Sequence, residues 1–268
     1  MTALAVIIPC YCVGDHIEGV ISAIGEEVTW IICVDDGCPE QSGNVIDEKF
    51  GSDPRVHLIK HDVNRGVGAA VVTGYREALQ LGAQVIVKLD GDGQMDARQI
   101  PRLITPIVEG QADYSKGNRF FSPESVATMP LSRIIGNAGL SFLAKASSGY
   151  WGIFDPANGF TAIHAKVVET LPLDKLSRRY FFETDVLFRL NTLRAVVIDI
   201  PVTANYGDEL SGLSELHSLL TFPFMHARNL AKRIAYNYFV RDFNIATLNM
   251  VLGLLCLAFG FVFGITSW

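Results

Sequence analysis

Cations are the scarcer charge in this 268-residue chain: 22 Lys and Arg stand against 28 Asp and Glu, a net charge of −6. That balance excludes a protein that grips nucleic acid by bulk positive charge. No basic region precedes the first apolar run, Ala3 to Ile8, so the run reads as a strand and not as a secretory leader. Cysteine is sparse and odd in number. Cys10, Cys12, Cys33, Cys38 and Cys256 cannot all pair, and Cys256 lies in an apolar stretch, which argues against a disulfide framework. Cys10-x-Cys12 and Cys33-x4-Cys38 leave two readings, thiolates on a zinc ion or small buried residues in a reduced cytosol, and burial carries more weight. His57, His61, His164, His217 and His226 show no ligand spacing and read as structural. A G-x4-G-K-S/T phosphate loop is absent.

Apolar residues are plentiful. They make up 49% of the chain, and the mean hydropathy of +0.28 directs attention to a membrane segment. Ile245 to Ile265 supplies one: 21 uncharged residues, about 31 Å long as a helix, enough to cross the hydrocarbon core. Lys232, Arg233 and Arg241 flank its N-terminal side, which predicts that residues 1–240 face the cytoplasm. The chain stops at Trp268, three residues past the span, as expected of a single-pass anchor or of a chain cut after its first span. Gly260-x3-Gly264 offers a small-residue face for a homo-oligomer. Before the span, Leu213 to Val240 combines apolar residues with Arg228, Lys232 and Arg233, as an interfacial amphipathic segment does. Pro223 is expected to split it into two helices.

Residues 1–212 alternate strand and helix patterns. Apolar runs at Ala3–Pro9, Trp30–Val34, Arg55–Lys60 and Ala83–Leu89 read as strands. Helical spacing follows Asp15, a predicted cap, and continues over 44–50, 64–81 and 97–109. A further strand starts at Asp113. Later segments are less regular: helices over 132–147, 167–171 and 182–193, strands over 160–164 and 195–200, and a polar loop over 207–212. Such alternation predicts an α/β fold with a doubly wound, mostly parallel sheet. The domain reading is 1–212 catalytic, 213–243 amphipathic and 244–266 transmembrane.

The chemistry gathers at Lys88-Leu-Asp90-Gly-Asp92-Gly-Gln94. An apolar strand ends there in two carboxylates, and the carboxyl end of a strand is where ligands sit in an open α/β sheet. Alone, the stretch fits a divalent-cation site and a solvated acidic turn equally well. An EF-hand counted from Asp90 fails, because Met95 and Pro101 occupy the places of its glycine and glutamate. An aspartyl-phosphatase would carry its aspartates after the first strand.

Seven motifs occur in order: Val6-Ile-Ile-Pro9-Cys-Tyr11, Val34-Asp35-Asp36-Gly37, Asn64-x-Gly66-x-Gly68, Asp90-Gly-Asp92-Gly-Gln94, Gly117-Asn-Arg119-Phe120, Asp155-Pro-x-Asn158-Gly-Phe160 and Phe182-Glu183-Thr-Asp185. The set resembles family-two glycosyltransferases of the GT-A fold, more narrowly the polyprenyl-phosphate glycosyltransferases that include dolichol-phosphate mannose synthase. Cys12 departs from the pattern, in which asparagine is usual. The resemblance implies a bacterial inner-membrane enzyme that moves a sugar from a nucleotide sugar, by preference a UDP-sugar, to undecaprenyl or dolichyl phosphate with inversion. It implies Mg²⁺ or Mn²⁺ held by Asp90, Asp92 and Gln94. Pro9, Tyr11, Asp35 and Asp36 would meet the nucleoside, with Arg65 and Gly66 beside it. Lys116 and Arg119 would face phosphates, Arg133 and Asn137 the acceptor phosphate, and Glu183 and Asp185 the sugar or acceptor. Asp155 would serve the catalysis as a general base or as an orienting group, and an acceptor phosphate already largely ionised favours orientation. The rival expectations are a surface-polysaccharide glycosyltransferase with another acceptor and a non-catalytic nucleotide-sugar-binding membrane subunit.

Overall fold

The computed structural model describes residues 2–121, 131–203 and 215–267, without the side chains of 131–135, 137 and 215–220. Seven strands form one sheet: β1 (Leu4–Cys10), β2 (Trp30–Asp35), β3 (Val56–Lys60), β4 (Val85–Lys88), β5 (Tyr114–Asn118), β6 (Thr161–His164) and β7 (Val197–Pro201), in spatial order β3-β2-β1-β4-β6-β5-β7. Pairing is parallel except at β6, which runs antiparallel to both β4 and β5. The mostly parallel sheet predicted from the alternation is therefore present, with one inserted antiparallel strand.

Branched apolar runs such as Val6-Ile7-Ile8 and Val85-Ile86-Val87 form central strands because both sheet faces are covered. Alternate side chains point to opposite faces. Val6 and Ile8 join a core with α1 (Gly14–Ser22) and α4 (Ile100–Val108). Ala5 and Ile7 join another with α3 (Val67–Gln80) and a later helix over Phe182–Thr192. Helix α2 (Ser42–Phe50) adds Ile46 to the first core. Burying each Ile contributes about 1.5–3 kcal/mol.

Three local expectations change. Asp15 lies in the first turn of α1, and Val13 takes the cap position without a side-chain bond. Its charge still suits the positive end of the helix. The strand predicted over 83–89 narrows to β4. Pro223 does not split the amphipathic segment. After α5 (Leu131–Ser148), α6 (Ala165–Thr170) and α7 (Phe182–Thr192), helix α8 runs unbroken over Glu215–Ile234 with Pro223 inside it. Tertiary packing holds it: the Phe222 ring meets Phe181 edge-on at 5.5 Å, and Asn229 Nδ2 donates to Asp185 Oδ1 (3.1 Å). The break comes later, in a π-helical turn over Ala235–Arg241.

Asn244 then caps α9 (Ile245–Ser267), accepting from the Ala246 N–H at 2.9 Å. Among the described residues, α9 is the one helix long and apolar enough to cross a membrane. Phe224, Phe239, Val240 and Phe243, just before the span, are exposed. The polar loop expected over 207–212 lies outside the described residues.

Candidate active site

Strand order reverses direction between β1 and β4, because the chain winds outward through β2 and β3 before returning to β4. Open α/β sheets bind ligands at the carboxyl ends of strands beside such a switch point. The loop after β1 carries Pro9 and Tyr11, and the loop after β4 carries Asp90, Asp92 and Gln94. Tyr11 is exposed, and the three β4-loop residues are half-buried, open to a ligand.

On the β2 side, the paired aspartates are bound to the protein's own backbone. Asp35 accepts from the N–H groups of Cys38 (2.9 Å) and Gly43 (3.0 Å). Asp36 accepts from the N–H groups of Arg65 (3.0 Å) and Gly66 (2.7 Å) and from His61 Nδ1 (2.7 Å). These bonds pin the glycine-rich loop that opens α3. Gly66 has φ +96°, and a Cβ there would strike the Arg178 carbonyl, so only glycine fits without strain. Arg65 itself is exposed.

On the β4 side the central feature is a lysine. Lys88 is buried, and its Nζ donates to Asp90 Oδ1 (2.7 Å) and Glu183 Oε1 (2.9 Å). Burial opposes its charge, but the two carboxylates outweigh that and hold its pKa above the ordinary lysine value. Gly159 closes over the group: a Cβ there would collide with Asp90 and the Lys88 ammonium. Gln94 donates its N–H to Asp92 Oδ1 (3.0 Å). No group of three His, Cys, Asp or Glu among the described residues could gather a metal by itself, which also leaves the four-thiolate zinc reading without a site. Asp90 and Asp92 nonetheless fit a hard divalent cation, which takes one or two carboxylates and completes its shell with phosphate oxygens and water.

The motifs at 117–120 and 155–160 interlock. Arg119 reaches both oxygens of Asp155, at 2.7 and 3.1 Å. Asn158 Nδ2 donates to the Gly117 carbonyl (2.9 Å), and Lys116 Nζ donates to the Asn158 carbonyl. Lys116 is fully buried; burial pushes its pKa down to about 8, against the pull of Glu183 and Asp155. In this arrangement its ammonium braces the 155–160 loop. Asp199 on β7 accepts from Asn118 and from the Phe154 N–H, and burial pushes its pKa up to about 6.

Glu183 and Asp185 open α7. Glu183 faces Lys88, whereas Asp185 turns away, to Arg189 (3.2 Å), the Ser177 N–H (3.0 Å) and Asn229 of α8. The structure thus parts two acids that the sequence places together. Arg133 and Asn137 belong to α5, with side chains outside the described set. Sequence reasoning gave Lys88 no role. The signal was a lone cation at the end of an apolar strand, which needs a counter-charge when buried.

Residues 5–171 match the family model for glycosyl transferase family 2. The chain belongs to this family. Its relatives include a UDP-N-acetylglucosamine–dolichyl-phosphate N-acetylglucosaminyltransferase of Methanococcus voltae, 28% identical over 75% of this chain and 85% of the relative. Another is an undecaprenyl-phosphate mannosyltransferase of Micrococcus luteus, 29% identical over 65% of this chain and 70% of the relative. A polyprenol monophosphomannose synthase of Mycolicibacterium smegmatis is 29% identical over 74% and 76%. Among solved structures, glucosyl-3-phosphoglycerate synthase of Mycobacterium tuberculosis, in complex with Mn²⁺, UDP and phosphoglyceric acid, superposes with a TM-score of 0.63. It is 16% identical, with 87% of this chain and 78% of that one covered, and it supports the GT-A fold of this glycosyltransferase.

Proposed function

We propose that this glycosyltransferase is metal-dependent and inverting, and that it moves a sugar from a nucleotide sugar, by preference a UDP-sugar, to a polyprenyl phosphate at the cytoplasmic membrane face. The observation that carries the reading is the Asp90–Asp92 pair at the switch point, anchored by buried Lys88, in a chain that also carries a helix long and apolar enough to cross a membrane. The names of three relatives add polyprenyl-type phosphate acceptors, and one adds a UDP-sugar donor. The cations Lys232, Arg233 and Arg241 before the span support the cytoplasmic side.

Asp90 and Asp92, with Gln94, would hold Mg²⁺ or Mn²⁺, which supplies Lewis-acid stabilisation of the leaving diphosphate. Pro9, Tyr11, Asp35, Asp36 and the Arg65–Gly66 turn shape the nucleoside side. Arg133 and Asn137, four apart and so on one face of α5, meet the acceptor phosphate. A phosphate monoester has a second pKa near 6, so the acceptor is already largely a dianion at neutral pH. Its oxygen bonds to the anomeric carbon while the bond to the donor phosphate breaks, the electron pair leaving with the nucleoside diphosphate. Asp155, with both oxygens on Arg119, orients that cation and removes no proton. Glu183 acts through Lys88, and Asp185 ties α7 to the juxtamembrane helix.

The test incubates the protein in detergent with radiolabelled nucleotide sugars, undecaprenyl phosphate and Mg²⁺ or Mn²⁺. An acid-labile glycolipid is expected with one donor. Intact donor binding without any glycolipid across the panel overturns the acceptor reading.

A further inference from the structure

Cys12 and Cys38 lie in the loops after β1 and β2, on the rim of the nucleotide side of the crevice. The Cys12 N–H donates to Cys38 Sγ (3.1 Å), and Ser42 Oγ lies 3.2 Å from the same sulfur. Ser42 is itself fully buried and accepts from the Val13 N–H (3.2 Å). Cys38 is buried at the approach to the N-terminus of α2, whereas Cys12 is exposed. The N–H···S contact holds the two Cα atoms within about 7 Å, the outer limit over which a disulfide can form. Cys10 and Cys33 are buried in the sheet, and the Cys10 thiol donates to the Ile8 carbonyl.

The two thiols differ in character. Burial alone works against a Cys38 thiolate, but hydrogen bonds from Ser42, Cys12 and Glu40 outweigh it and hold this thiol below its ordinary value. Partial burial and the neighbouring Cys38 sulfur hold Cys12 above it. Cys38 has the character of an attacking sulfur, and Cys12 that of an accessible resolving one.

We propose that Cys12 and Cys38 form a reversible dithiol–disulfide pair, a modification site for peroxide-class oxidants that controls access to the nucleotide side of the crevice. The Cys38 thiolate attacks the O–O bond of hydrogen peroxide, giving a sulfenic acid and hydroxide, which takes up a proton to become water. The Cys12 thiol then attacks the sulfenic sulfur. An S–S bond forms, the S–O bond breaks, and the departing hydroxide leaves with the Cys12 proton as a second water. Two thiols lose two electrons and two protons, and the peroxide is reduced to two waters. A dithiol reductant reverses the step by exchange. Closing the bond displaces the Cys12 N–H and Ser42 from Cys38 Sγ and moves Tyr11 and the Asp35–Asp36 turn, which adjoin the two cysteines. The effect on the donor rests on the proposed function; formation of the bond does not.

The test treats the full chain in detergent with hydrogen peroxide, blocks residual thiols, and maps peptides by mass spectrometry beside UDP-binding measurements. A Cys12–Cys38 linked peptide is expected, with UDP affinity weakened at least about fivefold and restored by dithiothreitol. Cys12→Ser should stop the link and leave a Cys38 sulfenic acid that dimedone traps; Cys256→Ser should change nothing. A link between other cysteines, no link after peroxide treatment, or a link with unchanged UDP affinity overturns the proposal. A reduced protein that binds no UDP overturns the donor reading and the control of access with it, while the linked peptide still decides the disulfide.

Discussion

On the β1–β2 side of the crevice, Asp35 and Asp36 bind backbone N–H groups of Cys38, Gly43, Arg65 and Gly66. On the β4–β5 side, carboxylates instead meet side-chain cations, Asp90 and Glu183 on Lys88 and Asp155 on Arg119. The first arrangement rests mainly on backbone N–H groups, with His61 as a side-chain partner of Asp36, so it fixes loop shape. The second brings together charges from distant parts of the chain in a partly dry setting, where a missing partner is costly. One side is a preformed cradle; the other is a charge network that can respond to an incoming ion or phosphate.

The largest effect expected on this contrast comes from Asp92→Ala, which should lower glycolipid formation by at least about 100-fold at saturating metal while the melting temperature holds. Full transfer by this variant would break the assignment of the β4 side to the chemistry. Lys88→Met should come next. It leaves Glu183 buried without its hydrogen-bonded counter-charge and should cost about 3–5 kcal/mol in denaturant unfolding, with Lys88→Met/Glu183→Gln recovering much of the loss. Additive losses in that pair would show that the two side chains do not act together. Asp155→Asn should lower the rate about tenfold and leave the pH profile unchanged, since Arg119 keeps a neutral acceptor. A general base would instead cost about 10²–10⁴-fold and remove a titration from the profile.

The smallest effect concerns the helical half. His226 is buried, bonded through Nδ1 to Ser147 Oγ (2.8 Å), and burial pushes its pKa down to about 4. In the unfolded state it titrates near 6.5, so between these values the unfolded chain binds the extra proton and stability falls as pH drops. Protection factors along α8, the pH-dependent intrinsic exchange rates divided by the observed ones, should therefore fall from pH 7 to pH 5, and His226→Gln should flatten that dependence. An unchanged slope would detach α8 docking from this histidine.

Much of the first half was legible in the sequence. Runs such as Val6-Ile7-Ile8, each followed by helical spacing, describe buried parallel strands because both requirements are local. The Asp90-Gly-Asp92 loop was located by the same logic, at the end of an apolar run. Pro223 misled because its local cost is real, yet the contacts of Phe222 and Asn229 with α7 hold the helix through it. The Lys88–Glu183 pair, 95 residues apart, left no spacing signal. Neither did the separation of Glu183 from Asp185, which depends on which face of α7 meets the sheet and which meets α8.

The sequence by itself determined the alternating α/β plan, the position of the acidic loop and the apolar span at 245–265, because periodicity, turn chemistry and helix length are properties of neighbouring residues. Only the tertiary structure decided that β6 enters the sheet antiparallel, that Lys88 holds Asp90 and Glu183, that Asp155 is bound by Arg119, and that the Cys12 N–H meets the Cys38 sulfur. Those arrangements rest on charges and sulfurs meeting across the fold, where burial and distance set the energy.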